Sequence, residues 1–160
     1  MSYVNKIKLL LCSSLLMISC GFSTPLLAEA VEQTVIIEVS KPADGGQCKV
    51  QAVFKGDQDN CKNDNAKGRA DCSKETGCVC TRQEKHLTWK ADDKQSFAIV
   101  FDQGSANPFV TKGDSECNLK SNKKGKLRCR VKGKDVPKGD YKYSIVVPEC
   151  PAVQSHIKIY

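Results

Sequence analysis

The number and placement of the cysteines constrain this chain more than any other feature. Of its ten cysteines, two fall within the first 20 residues. The remaining eight are Cys48, Cys61, Cys72, Cys78, Cys80, Cys117, Cys129 and Cys150. An even number of cysteines behind a leader predicts four disulfides. Each disulfide can add about 2 to 4 kcal/mol, which is comparable to the net stability of a whole domain.

Residues 1–30 have the layout of a secretory signal peptide. Lys6 and Lys8 provide a cationic start, and residues 9–18 form a mainly apolar run. The run is too short and too interrupted by serine for a good membrane span. This combination predicts export into an oxidising compartment, where disulfides form and persist.

Small residues mark the expected end of this leader. Ala28 and Ala30 lie two apart, as a signal peptidase requires, so we expect cleavage after Ala30 and one domain over residues 31–160. An alternative stays open, because residues 17–21 resemble a bacterial lipobox in which Cys20 becomes the lipidated first residue. Both alternatives predict a secreted or periplasmic protein, and only lipidation of Cys20 would attach it to a membrane.

The apolar residues after the leader recur with a period of two, and β-branched and aromatic residues fill these runs. Turn residues separate seven such runs, which predicts an all-β, Ig-like β-sandwich stabilised by disulfides. The run at 96–101 is apolar on both faces and predicts a central strand covered on both sides. The seven predicted strands are 34–39, 48–54, 86–90, 96–101, 126–132, 141–147 and 156–160.

A long polar segment, residues 56–82, interrupts this pattern and contains four of the cysteines: Cys61, Cys72, Cys78 and Cys80. A loop of this length needs something other than a core to fix it. Cys78 and Cys80 are too close to pair comfortably, so we expect them to bond to different partners and to pin the loop to the sandwich. Four thiolates could instead bind zinc, but their spacing lacks the paired gaps of zinc ribbons, and thiols in an oxidising compartment form disulfides first.

One disulfide can be predicted individually. Residues 122–125, Asn-Lys-Lys-Gly, are typical of a type I turn closed by a left-handed glycine. A hairpin folded at this turn brings Cys117 and Cys129 to nearly opposite positions. We therefore predict a Cys117–Cys129 disulfide.

The same hairpin carries a cationic ridge, which we define as the basic residues at even positions from 124 to 134. They are Lys124, Lys126, Arg128, Arg130, Lys132 and Lys134. The odd positions include the apolar residues Leu127 and Val131, so a strand here would point its cations outward and its apolar side chains inward. Charges on one face repeat every 6.6 to 7 Å or so, close to the spacing of phosphates or sulfates on a polyanion.

Two interpretations of the ridge stay open. It could bind an anionic glycan, a lipid headgroup or an acidic protein, and the formal charge of +7, or +6 without the leader, favours anionic partners generally. Nucleic acid is disfavoured because the row has no aromatic side chains for base stacking. Alternatively, the lysines defend an edge strand against aggregation, which is an ordinary use of charge.

His86, Cys150 and His156 occur in the order His, Cys, His, and residues 139–143 lead into the last two. This C-terminal half, from residue 86 onward, resembles the cupredoxins. The resemblance implies a cupredoxin-like β-sandwich in which these three residues hold copper, with Gln154 as the axial ligand. A copper thiolate at Cys150 would leave seven cysteines, an odd number, so one of them would have no disulfide partner. We therefore expect Cys150 to form a disulfide and both histidines to lie at the surface. We expect no metal and no other cofactor.

No sequence motif points to catalysis. The chain has no serine nucleophile elbow, metalloprotease helix or phosphate-binding loop, so we do not expect an enzyme. Our leading hypothesis is an exported binding module that uses the cationic ridge and the cysteine-rich loop. The alternatives are an inhibitor of a secreted or periplasmic hydrolase, presented by the loop between Cys61 and Cys80, and a copper-binding electron carrier.

Overall fold

A computed structural model of the chain describes residues 32–54, Cys61, Cys72, 76–113 and 117–160. The predicted leader, with both of its processing alternatives, and most of the cysteine-rich loop lie outside these residues. Eight β-strands are described: β1 (Glu32–Ser40), β2 (Lys49–Phe54), β3 (Val79–Thr81), β4 (His86–Ala91), β5 (Ala98–Phe101), β6 (Lys126–Arg130), β7 (Gly139–Val146) and β8 (Val153–Ile159).

The strands form two four-stranded sheets. Sheet A has the order β2-β1-β4-β6, and sheet B has the order β3-β8-β7-β5. The pairs β1–β4 and β3–β8 are parallel, and the other pairs are antiparallel. The predicted all-β, disulfide-stabilised sandwich is therefore confirmed, with one strand more than the seven expected.

Strand β3 is the additional one, and it lies within the polar segment predicted to be a loop. Val79, Cys80 and Thr81 are all buried, and they pair with the end of β8. Three residues are too few to show a period of two. Because the residues before them are polar, the sequence pattern did not indicate a strand here. The cysteine-rich segment therefore ends as a buried edge strand of sheet B.

Strand β5 was predicted to be central, and this prediction was wrong. β5 is the last strand of sheet B, where it pairs with β7 and is joined on its other side to Lys120 by an isolated bridge from Ala98, and Val100 is 51% exposed. Its inward residue Ile99 is buried as expected. Apolar residues on both faces indicated burial on both faces, but no second layer covers the outer face of this strand in the described part of the chain.

The core lies between the two sheets and is built from the inward residues of each strand. Trp89, Tyr143, Phe109 and Ile37 are among its largest fully buried side chains. Burying one such apolar side chain stabilises the fold by about 1.5 to 3 kcal/mol. The period of two in the sequence therefore corresponds to a continuous layer of inward side chains.

Four disulfides complete the framework: Cys48–Cys150, Cys61–Cys80, Cys72–Cys78 and Cys117–Cys129. The predicted Cys117–Cys129 pair is confirmed, and Cys78 and Cys80 bond to different partners, as expected. Because Cys80 lies on β3, its bond to Cys61 ties the cysteine-rich segment to sheet B. This many disulfides is typical of an exported protein. Within the described ranges, no helix has the length and apolar character needed to span a membrane.

The turn before β6 has the predicted form. Gly125 has a φ of 67°, and its amide donates to the carbonyl of Asn122 at 2.9 Å. The Gly125 carbonyl in turn accepts from the amide of Ala91 at 2.9 Å, which ties the turn to the end of β4. This attachment sets the register in which β6 lies beside β4.

Candidate functional site

The cationic ridge lies on β6 and the residues that flank it, at one edge of sheet A. Along β6, Lys126 and Arg128 are exposed, whereas Leu127 and Cys129 are buried. The alternation predicted for this strand is therefore present. β6 is also an edge strand, so its position agrees equally with the alternative in which lysines protect the edge.

The middle of the ridge is held by a carboxylate from β1. Arg128 Nε donates to Glu32 Oε2 at 3.1 Å, and Thr88 Oγ1 donates to the other oxygen, Glu32 Oε1. Burial raises the pKa of the Glu32 carboxyl, but these two hydrogen bonds and the charges of Arg128 and Lys126 outweigh burial and lower the pKa overall. Glu32 therefore stays ionised and fixes the Arg128 guanidinium on the outer face of the sheet.

Arg130 and Lys132, further along the ridge, are also engaged within the protein. Arg130 forms an ion pair with Glu84 at 3.7 Å, and Lys132 Nζ donates to the backbone carbonyl of Asn107 at 2.8 Å. Both cations are half-buried. These contacts neutralise or occupy the two positions, so the six basic residues are not six equivalent binding groups.

The near end of the ridge differs, because it faces another cation. In the antiparallel pairing of β4 and β6, Lys90 lies directly opposite Lys126, and both side chains are exposed. Across the described residues, neither forms a salt bridge, and the same is true of Lys124. Like charges at directly opposed positions destabilise a sheet. We call Lys90, Lys124 and Lys126 the lysine cluster.

Lys90 was not among the predicted binding residues, because the sequence pattern contained only part of the information needed to identify it. The alternation of β4 placed Lys90 on the outward side, together with His86 and Thr88. Nothing in the sequence indicated that β4 pairs with β6, which begins 36 residues after Lys90. The lysine cluster is therefore a product of the sheet topology.

The two histidines, expected at the surface, are half-buried and lie in different sheets. His86 begins β4 in sheet A, and His156 lies on β8 in sheet B. Burial lowers the pKa of His86, and the nearby charges of Arg128 and Arg130 lower it further against the opposing effect of Glu32. His86 is therefore neutral at physiological pH and adds no charge beside the ridge.

A second chemical cluster lies where the cysteine-rich segment meets sheet B. The bridges Cys61–Cys80 and Cys72–Cys78 are in direct contact: Cys72 Sγ lies 3.1 Å from Cys61 Sγ and 3.6 Å from Cys80 Sγ. At the other end, Cys78 Sγ lies 2.8 Å from Nε2 of His156. All four cysteines are at least 95% buried. We call these four sulfurs and the His156 ring the sulfur cluster.

A groove of about 430 Å³ lies beside the sulfur cluster, with Gly77 and His156 in its lining. Residues of β2 and β8 form most of its walls. Thr76 fixes the segment before Cys78, because its hydroxyl donates to the carbonyl of Ala52 at 2.7 Å and its own carbonyl accepts from the amide of Phe54 at 2.6 Å. Two hydrogen bonds to the main chain of β2 thus hold Thr76, two residues before Cys78.

The copper site implied by the sequence resemblance does not fit this structure. The sulfur of Cys150 is bonded to Cys48 and is therefore not a thiolate. Its two proposed partners, His86 and His156, belong to opposite sheets. Cys150 is therefore part of a disulfide, and the two histidines lie in separate environments, one in each sheet.

The inhibitor hypothesis concerns the loop between Cys61 and Cys80, most of which falls outside the described residues. The structure places the two ends of that loop beside each other through the Cys61–Cys80 bond. The inhibitory role itself stays a prediction.

Comparison with known proteins identifies no family. No protein-family model matches the chain, and no curated protein matches it. Among solved structures, it is similar to McoA multicopper oxidase from the hyperthermophile Aquifex aeolicus, with a TM-score of 0.37, 10% identity, and coverage of 83% of this chain and 28% of that one. It is also similar to a multicopper oxidase from Campylobacter jejuni, a metallo-oxidase, with a TM-score of 0.40, 11% identity, and coverage of 83% and 26%.

Both TM-scores are below 0.5 and both identities are about 10%, so these matches do not assign the chain to a family. The chain spans only about a quarter of the length of the oxidases it matches. A likeness of this degree carries no argument about copper, activity or partners. The chain is a disulfide-stabilised β-sandwich, and its function has to be inferred from its own residues.

Proposed function

We propose that this protein is an exported, non-enzymatic binding module that holds an anionic glycan at the lysine cluster. The observation that carries this proposal is the direct opposition of Lys90 and Lys126 on the exposed face of sheet A. Opposed cations oppose folding, and a bound anionic group between them would relieve that repulsion. Edge protection alone accounts for Lys126, but it does not account for Lys90, because β4 is an interior strand of sheet A.

The neighbouring groups favour a linear polyanion. Arg128 follows Lys126 on the same face of β6 at a separation of about 6.6 to 7 Å, and its contact with Glu32 fixes its guanidinium in place. A sulfated or carboxylated glycan presents charges at a comparable repeat. At the level of the opposed lysines, the next outward residues across the sheet are Ile36 and Val53, which offer no surface for stacking of nucleobases.

Retention on immobilised heparin tests this proposal. We expect the wild-type protein to bind at low salt and to elute at a salt concentration well above that of the double variant Lys90→Ser/Lys126→Ser. The matched control is Lys49→Ser/Lys142→Ser, which removes two exposed strand lysines elsewhere and has the same net charge. The control should elute close to wild type. If both double variants eluted at equally lowered salt concentrations, retention would depend on net charge alone. That result would overturn the lysine cluster as the binding site.

A parallel measurement with vesicles separates a glycan from a lipid surface. The proposal predicts that soluble heparin removes the protein from vesicles that contain an anionic phospholipid. If the protein instead binds these vesicles through Lys90 and Lys126 and is not retained by heparin, the partner is a lipid headgroup, and the glycan proposal is wrong.

A further inference from the structure

The edge of sheet A that lies opposite the cationic ridge borders a groove, and the lysine cluster makes no use of it. β2 is the last strand at this side of sheet A, and β8 of sheet B forms the other wall of the groove. We propose that the groove binds an extended, uncharged peptide segment of a partner protein, which adds to β2 as a further strand of sheet A. This proposal does not depend on the glycan site.

The lining of the groove shows that it follows the edges of two strands. It includes consecutive residues of β2, 50–52, and consecutive residues of β8, 153–156. Consecutive residues of a strand point to opposite faces of a sheet, so a groove that meets all of them runs along the strand edge. A second groove of about 510 Å³ shares Val50, Gln51 and Val153 and continues along β2 to Cys48. Together the two grooves follow β2 for about four extended residues.

Contacts with Thr76 identify the main-chain groups of β2 that face the groove. The Phe54 amide donates to the Thr76 carbonyl at 2.6 Å, and the Ala52 carbonyl accepts from the Thr76 hydroxyl at 2.7 Å, so both residues direct their main chain away from β1. Alternate residues of a strand direct these groups to the same side, so the N–H and C=O of Val50 face the groove. Among the described residues, neither group of Val50 has a hydrogen-bond partner.

The facing part of β8 also lacks a neighbouring strand on the groove side. β3 pairs with β8 only at residues 157–159, so within the described ranges Val153, Gln154 and Ser155 have a strand neighbour only in β7. Ser155 lines the groove, is 6% exposed, and its hydroxyl has no hydrogen-bond partner. A buried polar group without a partner destabilises a fold. A main-chain amide or carbonyl of a bound peptide would supply the missing partner.

These groups favour a peptide over other ligands. An extended peptide presents an N–H and a C=O at every second residue along each side, which is the pattern that an unpaired strand edge accepts. β2 also lacks the row of cations that protects β6 from added strands, because no charged residue lies between Val50 and Phe54. Since β2 is recessed beside β8, a single extended chain fits the groove better than the edge of a second folded copy.

The charges in the lining favour an uncharged segment. Asp102 and Lys142 are the acidic and basic residues of the groove beside Gly77, and they have opposite signs. In the described part of the chain, neither forms a salt bridge. The groove therefore selects no single sign of charge, in contrast to the lysine cluster. Binding in the groove should accordingly depend little on salt.

Selection from a phage-displayed library of random heptapeptides tests the site. The immobilised wild-type protein should enrich peptides that are rich in β-branched residues and have no net charge. Val50→Pro removes the N–H that faces the groove and leaves the bonds to β1 intact, so the affinity for the enriched peptides, synthesised with capped ends, should fall by about tenfold. The matched control, Val50→Thr, retains this N–H and should bind at close to the wild-type affinity.

Hydrogen exchange of the wild-type protein, followed by NMR, provides a measurement that needs no variant. The Val50 amide should exchange rapidly in the free protein and become protected when the peptide is added. The Gln51 amide faces β1 and is the internal control, so its protection should not change. Protection of Val50 that rises with protein concentration in the absence of peptide would mean that a second copy occupies the groove, and the peptide proposal would be wrong.

Ser155→Ala separates binding from folding. The variant should be as stable as wild type or more stable, because it removes a buried hydroxyl without a partner, whereas its affinity for the peptide should fall by about two- to tenfold. Ser144→Ala, on the neighbouring strand β7 and outside the groove, should change neither property. Loss of stability in Ser155→Ala with unchanged affinity would assign this hydroxyl to the fold and overturn its role in the site.

Three results of the selection would overturn the groove as a peptide site. The first is that no peptide is enriched, and the second is that Val50→Pro binds the enriched peptides as tightly as wild type. The third is enrichment of acidic peptides that bind the Val50→Pro protein normally but no longer bind Lys90→Ser/Lys126→Ser. The third result would place peptide binding at the lysine cluster.

Discussion

The indole of Trp89 and the phenol of Tyr143 join the two sheets at the centre of the core. Trp89 Nε1 donates to the hydroxyl oxygen of Tyr143 at 3.1 Å, and the two rings meet edge to face at an interplanar angle of 83°. Trp89 belongs to β4 of sheet A and Tyr143 to β7 of sheet B. Both residues are fully buried, so this hydrogen bond fixes the relative position of the sheets in a dry environment.

Removal of the Tyr143 hydroxyl should destabilise the protein clearly. Tyr143→Phe keeps the aromatic packing but leaves the buried Trp89 N–H without its acceptor, which costs about 1 to 3 kcal/mol. Urea denaturation monitored by tryptophan fluorescence gives the change in the free energy of unfolding. The control is Tyr141→Phe, which removes a hydroxyl that donates to the Pro137 carbonyl and should cost about 0.5 to 1.5 kcal/mol. A neutral Tyr143→Phe would contradict this account of the core.

The disulfides should differ in value according to the length of chain that each one closes. Cys48–Cys150 spans 102 residues, whereas Cys117–Cys129 spans 12. The chain-entropy estimate gives about 4.7 kcal/mol for a loop of the first size and about 3 kcal/mol for the second. The double variant Cys48→Ala/Cys150→Ala should therefore lose more stability in chemical denaturation than Cys117→Ala/Cys129→Ala. The reverse order would mean that the local hairpin, and not long-range cross-linking, limits stability.

Gly125 should tolerate no side chain. Its φ of 67° is in the left-handed region, and an added Cβ would lie 2.7 Å from the Lys94 Cα. Gly45 has a φ of 75° with open space around it, so Gly45→Ala measures the conformational cost alone, about 1 to 2 kcal/mol. Gly125→Ala should cost about 1 to 3 kcal/mol more than this control, because of the clash. Equal thermal shifts in the two variants would show that the contact with Lys94 is easily relieved.

Acidification should destabilise the outer face of sheet A in two stages. The pKa of His86 is lowered in the folded state, so the unfolded chain binds a proton more readily, and stability is lost as the pH falls below about 6.5 toward the folded value. The pKa of Glu32 is also lowered, so its contribution is present above about 4.5 and is lost at lower pH. Unfolding free energies measured from pH 7.5 to 4 give this profile.

The matched variant for the first stage is His86→Gln, which cannot titrate. It should retain stability as the pH falls through the upper window and should still lose stability in the lower window, where Glu32 becomes protonated. An upper-window loss of the same size in wild type and His86→Gln would assign that loss to another group.

Much of the fold was predictable from the sequence, because its signals are local. The period of two located β1, β4, β6 and β7 to within a few residues. The Cys117–Cys129 disulfide was predictable because a single turn, closed by Gly125, brings both cysteines together. These features depend on residues that are close together in the sequence, and a sequence pattern can therefore indicate them.

The features that were not predictable depend on which distant strands become neighbours. The edge position of β5 left Val100 exposed, although its composition indicated burial. The opposition of Lys90 and Lys126 follows from the pairing of β4 with β6, and the ion pairs of Arg128 and Arg130 follow from where Glu32 and Glu84 come to lie. Only the assembled sheets show which cations of the ridge are engaged within the protein and which remain open.

The most direct test of the proposed glycan site is to map a heparin oligosaccharide onto the isotopically labelled protein by NMR. We predict that the largest amide shifts occur at Lys90, Lys126 and their immediate neighbours on β4 and β6, and that these shifts disappear as salt is raised. Shifts centred on the groove beside His156, or shifts that persist in Lys90→Ser/Lys126→Ser, would contradict the lysine cluster as the binding site.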